Sequence, residues 1–109
     1  MSMEFHGSCF NVISRIRERR KAIKYESQIR SLIAMYGGKL VSFIYDATTF
    51  GNMIVLFNDR VGKMHEVVLD RDSITYGSKY LVTNIDPTSE LGKGRFLALL
   101  KAIEQIIDI

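Results

Sequence analysis

Chemistry in a small chain needs clustered reactive side chains, and this sequence offers few. His6 and His65 are its imidazoles, and Cys9 is its single cysteine. His6 lies near the chain start, where fraying is expected. His65 sits in a stretch of alternating residues and is expected to be structural or solvated. Nothing places Cys9 beside a histidine as a nucleophile–base pair, and no Ser-His-Asp set can be argued. Cys9 falls in an apolar stripe and reads as a small buried hydrophobe. A lone cysteine also excludes an internal disulfide and a cysteine-rich metal site.

Two spacings touch on ligand chemistry. Asp70 and Asp72 flank Arg71, and carboxylates two apart in an extended chain face the same way, as a hard cation would require. No third ligand or coordinating loop accompanies them. The expected arrangement is a turn in which Arg71 pairs with a carboxylate. Gly92-Lys93-Gly94-Arg95 opens the last helical segment and could face an anion. No strand leads into it as in nucleotide-binding sites, so a flexible helix start is expected. Gly37-Gly38 follows a helix and reads as a cap, not a phosphate cradle. The expectation is a binding module rather than an enzyme, with no catalytic residue, metal or cofactor.

Charge is unevenly placed. The 109 residues carry a net +3. Residues 1–36 hold seven Lys and Arg against three Glu, a net +4, which leaves −1 for the rest. The run Arg15, Arg17, Arg19, Arg20, Lys21 and Lys24 could touch nucleic-acid phosphates. Its charges read as spread around a helix, without interleaved aromatic residues, and a solvated face is the plainer expectation. The carboxylates Asp46, Asp59, Glu66, Asp70, Asp72, Asp86 and Glu90 fall mostly in loops or near strand ends.

These groups must be positioned by few elements. The length fits one domain, 1–109, large enough to need no metal or disulfide staple. No apolar run approaches the roughly 20 residues of a membrane span. Met1 to Phe10 lacks the pattern of a signal peptide. No membrane partner and a cytoplasmic location are therefore expected; the oligomeric state is left open. Ala22, Tyr25, Ile29, Leu32, Ile33 and Tyr36 share a helical face, predicting a helix over about Asn11 to Tyr36. Cys9, Val12, Ile13, Ile16 and Ile23 point nearly opposite. Either that helix breaks near Arg19–Lys21, or the early stripe meets another surface, such as an oligomer contact. Strands are predicted at Lys39–Tyr45, Asn52–Phe57, Lys63–Leu69 and Ser73–Tyr76, the last running on to Lys79–Val82 in one version. Pro87 sits where a loop is expected. A helix follows over about Gly94 to Ile107, with Phe96, Leu99, Leu100, Ile103, Ile106 and Ile107 in one stripe. The predicted fold is α+β, in the order α-β-β-β-β-α, with both helices on one face of an antiparallel sheet.

The stretches Phe50-Gly51-Asn52-Met53-Ile54-Val55-Leu56-Phe57 and Glu66-Val67-Val68-Leu69-Asp70-Arg71-Asp72-Ser73-Ile74-Thr75-Tyr76 resemble small bacterial immunity-type proteins. Those proteins accompany polymorphic toxins, including toxins of contact-dependent growth inhibition. They show a Phe-Gly-Asn/Asp entry into one strand and an apolar strand ending in Asp-Arg-Gly. This chain departs from the pattern at Asp72, which questions the left-handed turn that glycine would supply. The resemblance implies a cytoplasmic inhibitor that binds one cognate toxin domain, a nuclease in many such systems. The seven carboxylates above are then the candidate contacts, since charge complementarity speeds encounter. The alternative is a small nucleic-acid-binding protein using Arg15 to Lys24.

Overall fold

The computed structural model describes residues 2–7, 11–49, 51–86 and 93–108. Strand β1 is Ser2–His6, helix α1 Val12–Met35, β2 Lys39–Asp46, β3 Asn52–Asn58, β4 Met64–Asp70, β5 Ser73–Tyr76, β6 Lys79–Val82 and helix α2 Lys93–Ile107. The α+β class stands, but the sheet has six strands in the order β1-β2-β3-β4-β5-β6, not four. It is also mixed. β1 runs parallel to β2, whereas the other neighbours are antiparallel.

Both extra strands have physical causes. Met3 and Phe5 pack toward the core, while Glu4 and His6 alternate with them. His6 is thus not frayed: it pairs with Asp46 in the β1–β2 register. A parallel partner needs a long crossover, which α1 provides. At the other edge, Gly77 takes φ +61 and folds Lys79–Val82 back on β5 as a separate strand.

Helix α1 is continuous. Asn11 caps it, with Oδ1 accepting from the N–H of Ile13 at 2.8 Å and of Ser14 at 3.4 Å. Gly37, at φ +80, ends it as expected, and its neighbour Gly38 donates to the Ile33 carbonyl at 3.0 Å. No break occurs near Arg19–Lys21. Ala22, Tyr25, Ile29 and Ile33 enter the core instead, and the described members of the early stripe stay in solvent. Val12, Ile13, Ile16 and Ile23 are 70%, 62%, 46% and 48% exposed. Glu26 is buried beside this core face and is paired with Arg30 one turn on.

The α2 stripe is buried as expected through Phe96, Leu99, Ile103 and Ile107. Tyr25 stacks on Phe96 at 4.1 Å and meets Tyr45 at 5.9 Å, so both helices and β2 share one core. Leu40, Phe43, Val55, Phe57, Val67, Leu69 and Ile74 complete it from the sheet. All point to one face. Both helices therefore lie on that face, and the opposite face carries no packed element among the described residues.

Candidate functional site

Strand register lays out the open face. Across the sheet, Glu4 pairs with Ile44, Ile44 with Ile54, Ile54 with Val68 and Val68 with Thr75. A second row runs through Ser42, Leu56 and Glu66. A third holds His6, Asp46 and Asn52, and Asp70 closes the same end against Ser73. Ile44, Ile54, Leu56 and Val68 are only half-buried. Glu4, His6, Asp46, Thr49, Asn52 and Asp70 surround Ile44, Ile54 and Val68 in a depression of about 360 Å³. The face thus combines an apolar floor with the carboxylates of Glu4, Asp46, Glu66 and Asp70. Among its strand residues, Lys39 is the only lysine or arginine in register with it, at the far end opposite Asn58.

Local hydrogen bonds and close contacts place three of these acids. Asp46 accepts from the Thr48 hydroxyl and, at 3.0 Å, from the Thr48 N–H. The Thr48 hydroxyl holds the Asp46 carboxyl below its usual range. Glu4 and His6 approach to 3.5 Å. Asp70 accepts from Asn52 Nδ2 at 3.0 Å. The other end of that amide, Asn52 Oδ1, accepts from the Arg71 N–H at 2.9 Å and Arg95 Nη2 at 3.0 Å.

The last helix starts at Lys93, within one residue of the expected Gly94, and Arg95 in its first turn is held in place. It is 4% exposed and turns inward, donating through Nε to the Arg71 carbonyl at 2.6 Å and through Nη1 toward the Gly51 carbonyl at 3.5 Å. Burial lowers its pKa. The guanidinium is therefore stitched into two turns rather than offered to an anion. Gly92 lies outside the described residues. The β4–β5 turn is left-handed at Arg71, φ +54, and not at Asp72. Asp72 therefore occupies a position that needs no glycine. Asp70 and Asp72 gather no third ligand: among the described residues, no group of three or more His, Cys, Asp or Glu could hold a metal ion.

The seven expected carboxylates do not form one site. Asp46, Glu66 and Asp70 reach the open face. Asp72 is exposed in the β4–β5 turn, and Asp86 follows β6. Glu90, like Cys9, Phe50 and Pro87, lies outside the described residues. Asp59 is committed elsewhere, in the β3–β4 hairpin. Its Oδ1 accepts from the N–H groups of Val61 at 3.0 Å and Lys63 at 2.9 Å. Its Oδ2 lies 2.8 Å from His65 Nε2, and His65 Nδ1 lies 2.6 Å from the Tyr76 hydroxyl. An ionised Asp59 makes Nε2 a donor, and in the neutral imidazole that tautomer leaves Nδ1 to accept from the Tyr76 hydroxyl. His65 is structural, packed between Phe57 and Tyr76. Its hydrogen bond leads the effects that hold the Asp59 carboxyl below its usual range.

Glu4, His6 and Asn52 were not among the expected contacts. The signal for the first two was the alternation Met3-Glu4-Phe5-His6, visible only once β1 is recognised. Arg15, Arg17, Arg19, Arg20, Lys21 and Lys24 are all exposed on α1. Arg17, Arg20, Lys21 and Lys24 are spaced i, i+3, i+4 and i+7 and share one side, more concentrated than expected. Lys21 Nζ lies 5.6 Å from the Tyr25 ring centre. Comparison with protein-family models, characterised proteins and solved structures finds no match to this chain.

Proposed function

We propose that this chain is an immunity-type protein that binds and neutralises a cognate toxin domain through the open face of its sheet. The observation that carries this reading is the uncovered apolar strip Ile44, Ile54, Leu56 and Val68, edged by Glu4, Asp46, Glu66 and Asp70. An exposed sheet face with apolar floor and carboxylate rim suits a basic protein surface such as a nuclease active site. The stretches that carry the family resemblance include β3, β4 and β5, which build the centre of this face. The reading places the protein in the cytoplasm of the toxin-producing cell.

Size supports a contribution from the rim. Six strands about 4.8 Å apart and about 20 Å long present roughly 500 Å². A standard interface buries about 800 Å² per partner. Turn residues such as Asp72 therefore belong to the contact, and binding does not end at the strands.

The test is growth rescue. The chain is co-expressed with the C-terminal domain of the product of its upstream gene, and complex formation is followed by gel filtration. Asp46→Lys/Asp70→Lys should keep its circular dichroism and lose both rescue and the complex. Full rescue by that folded variant would sink the proposal.

A further inference from the structure

We propose that the outward side of the first half of α1 docks on an anionic lipid bilayer, with Val12, Ile16 and Ile23 entering the headgroup boundary and neighbouring cations meeting lipid phosphates. Counted at about 100° per residue, Val12, Ile16 and Ile23 fall within about 40° of one another. Ile13, Arg20, Lys24 and Arg17 occupy the next sector, on the side away from Ala22 and Ile29. The aliphatic side chains are about half exposed or more, and none of them joins the core that the described residues form. From Val12 to Lys24, six cations stand against one carboxylate, Glu18. Apolar side chains beside a basic cluster supply the two contributions to binding an anionic interface, buried apolar area and attraction to lipid charge.

Other occupants fit less well. Nucleic acid would use the cations but has no partner for four exposed aliphatic residues, and no aromatic side chain lies among them to stack on bases. A second copy placed face to face would oppose the same cations. A second copy docked by its acidic sheet face would form a head-to-tail contact that need not close. A bilayer satisfies both components. Among the described residues no helix is long and apolar enough to cross a membrane, and the proposed docking is on the surface. It also leaves the carboxylate face on the opposite side of the sheet, turned away from like-charged lipid. The proposal is independent of the toxin-binding reading.

Flotation of the full chain with vesicles tests it, using phosphatidylcholine alone and with roughly one-quarter phosphatidylserine. The chain should float only with phosphatidylserine present. Each cation removed should weaken partitioning about five-fold, so Arg17→Glu/Arg20→Glu should lose more than ten-fold. Ile16→Ser/Ile23→Ser, with charge unchanged, should also lose at least ten-fold while circular dichroism stays native. Absence of flotation overturns the proposal, as does flotation that ignores the serine pair. Binding to random duplex DNA, steeply weakened by salt and indifferent to the serine pair, would reassign the helix to nucleic acid. A dimer in light scattering that the serine pair abolishes, without vesicle binding, would reassign it to self-association.

Discussion

Arg95 Nη2 donates to Asn52 Oδ1 at 3.0 Å, and the same amide donates from Nδ2 to Asp70 Oδ1 at 3.0 Å. A buried guanidinium on α2 thereby sets the direction of a carboxylate on the opposite side of the sheet. Asn52→Ala would leave Arg95, the Arg71 N–H and Asp70 each short of a partner. The expected loss is about 2–4 kcal/mol, since hydrogen bonds to charged groups exceed ordinary ones. Urea unfolding measures it. If the toxin-binding reading holds, affinity should fall further than the folded fraction explains, because Asp70 is no longer oriented.

Gly38 is confined by neighbours rather than by its torsion. A Cβ there would sit 2.4 Å from the Asn58 carbonyl oxygen and 2.9 Å from both Ile107 and Ile33. The backbone oxygen cannot rotate away. Gly38→Ala should destabilise by about 3 kcal/mol or more, with separation of α1, β3 and the end of α2. Gly62, at φ +86, has open space around it. Gly62→Ala should cost only about 1–2 kcal/mol of backbone strain. Thermal melts of the two variants separate crowding from torsion.

Asp59 links stability to acid. Its folded pKa is lowered, so the folded state binds its proton less readily than the unfolded chain does. The resulting stability is present above the unfolded value of about 3.9. It is lost as pH falls through the lower folded pKa. Asp59→Asn should unfold more easily near neutrality, and its difference from the parent should shrink in acid. A constant difference across the acid titration, followed by denaturant midpoints, would contradict this origin.

Apolar residues on the two helices should respond oppositely. Ile103 is fully buried, and Ile103→Ala should cost about 2–5 kcal/mol. Ile16 is 46% exposed, and Ile16→Ala should stay within about 0.5 kcal/mol. Equilibrium unfolding checks both. A large loss at Ile16 would mean that the stripe already has a partner within the folded protein.

Short-range patterns were legible. The end of α1 at Gly37 follows from glycine's tolerance of positive φ, the buried stripe of α2 from helical spacing, and β2 to β5 from β-rich runs between short loops. These depend on neighbours within a few positions, so the sequence by itself determined them. The β1–β2 pairing was not legible, because Met3 meets Phe43 across forty residues and a five-residue strand has little periodicity. The fate of Arg95 was also hidden. Its place in a glycine-rich helix start predicts a flexible segment, yet carbonyls from two distant turns and the Asn52 side chain surround it. Asp59 looked like its fellow loop acids until the hairpin brought His65 beside it. Tertiary structure also decided which carboxylates lie together, because Glu4, Asp46 and Asp70 share a face only after four strands, β1 to β4, align. Residue type sets what a side chain can bond to, but long-range pairing and burial set which bonds remain to be made.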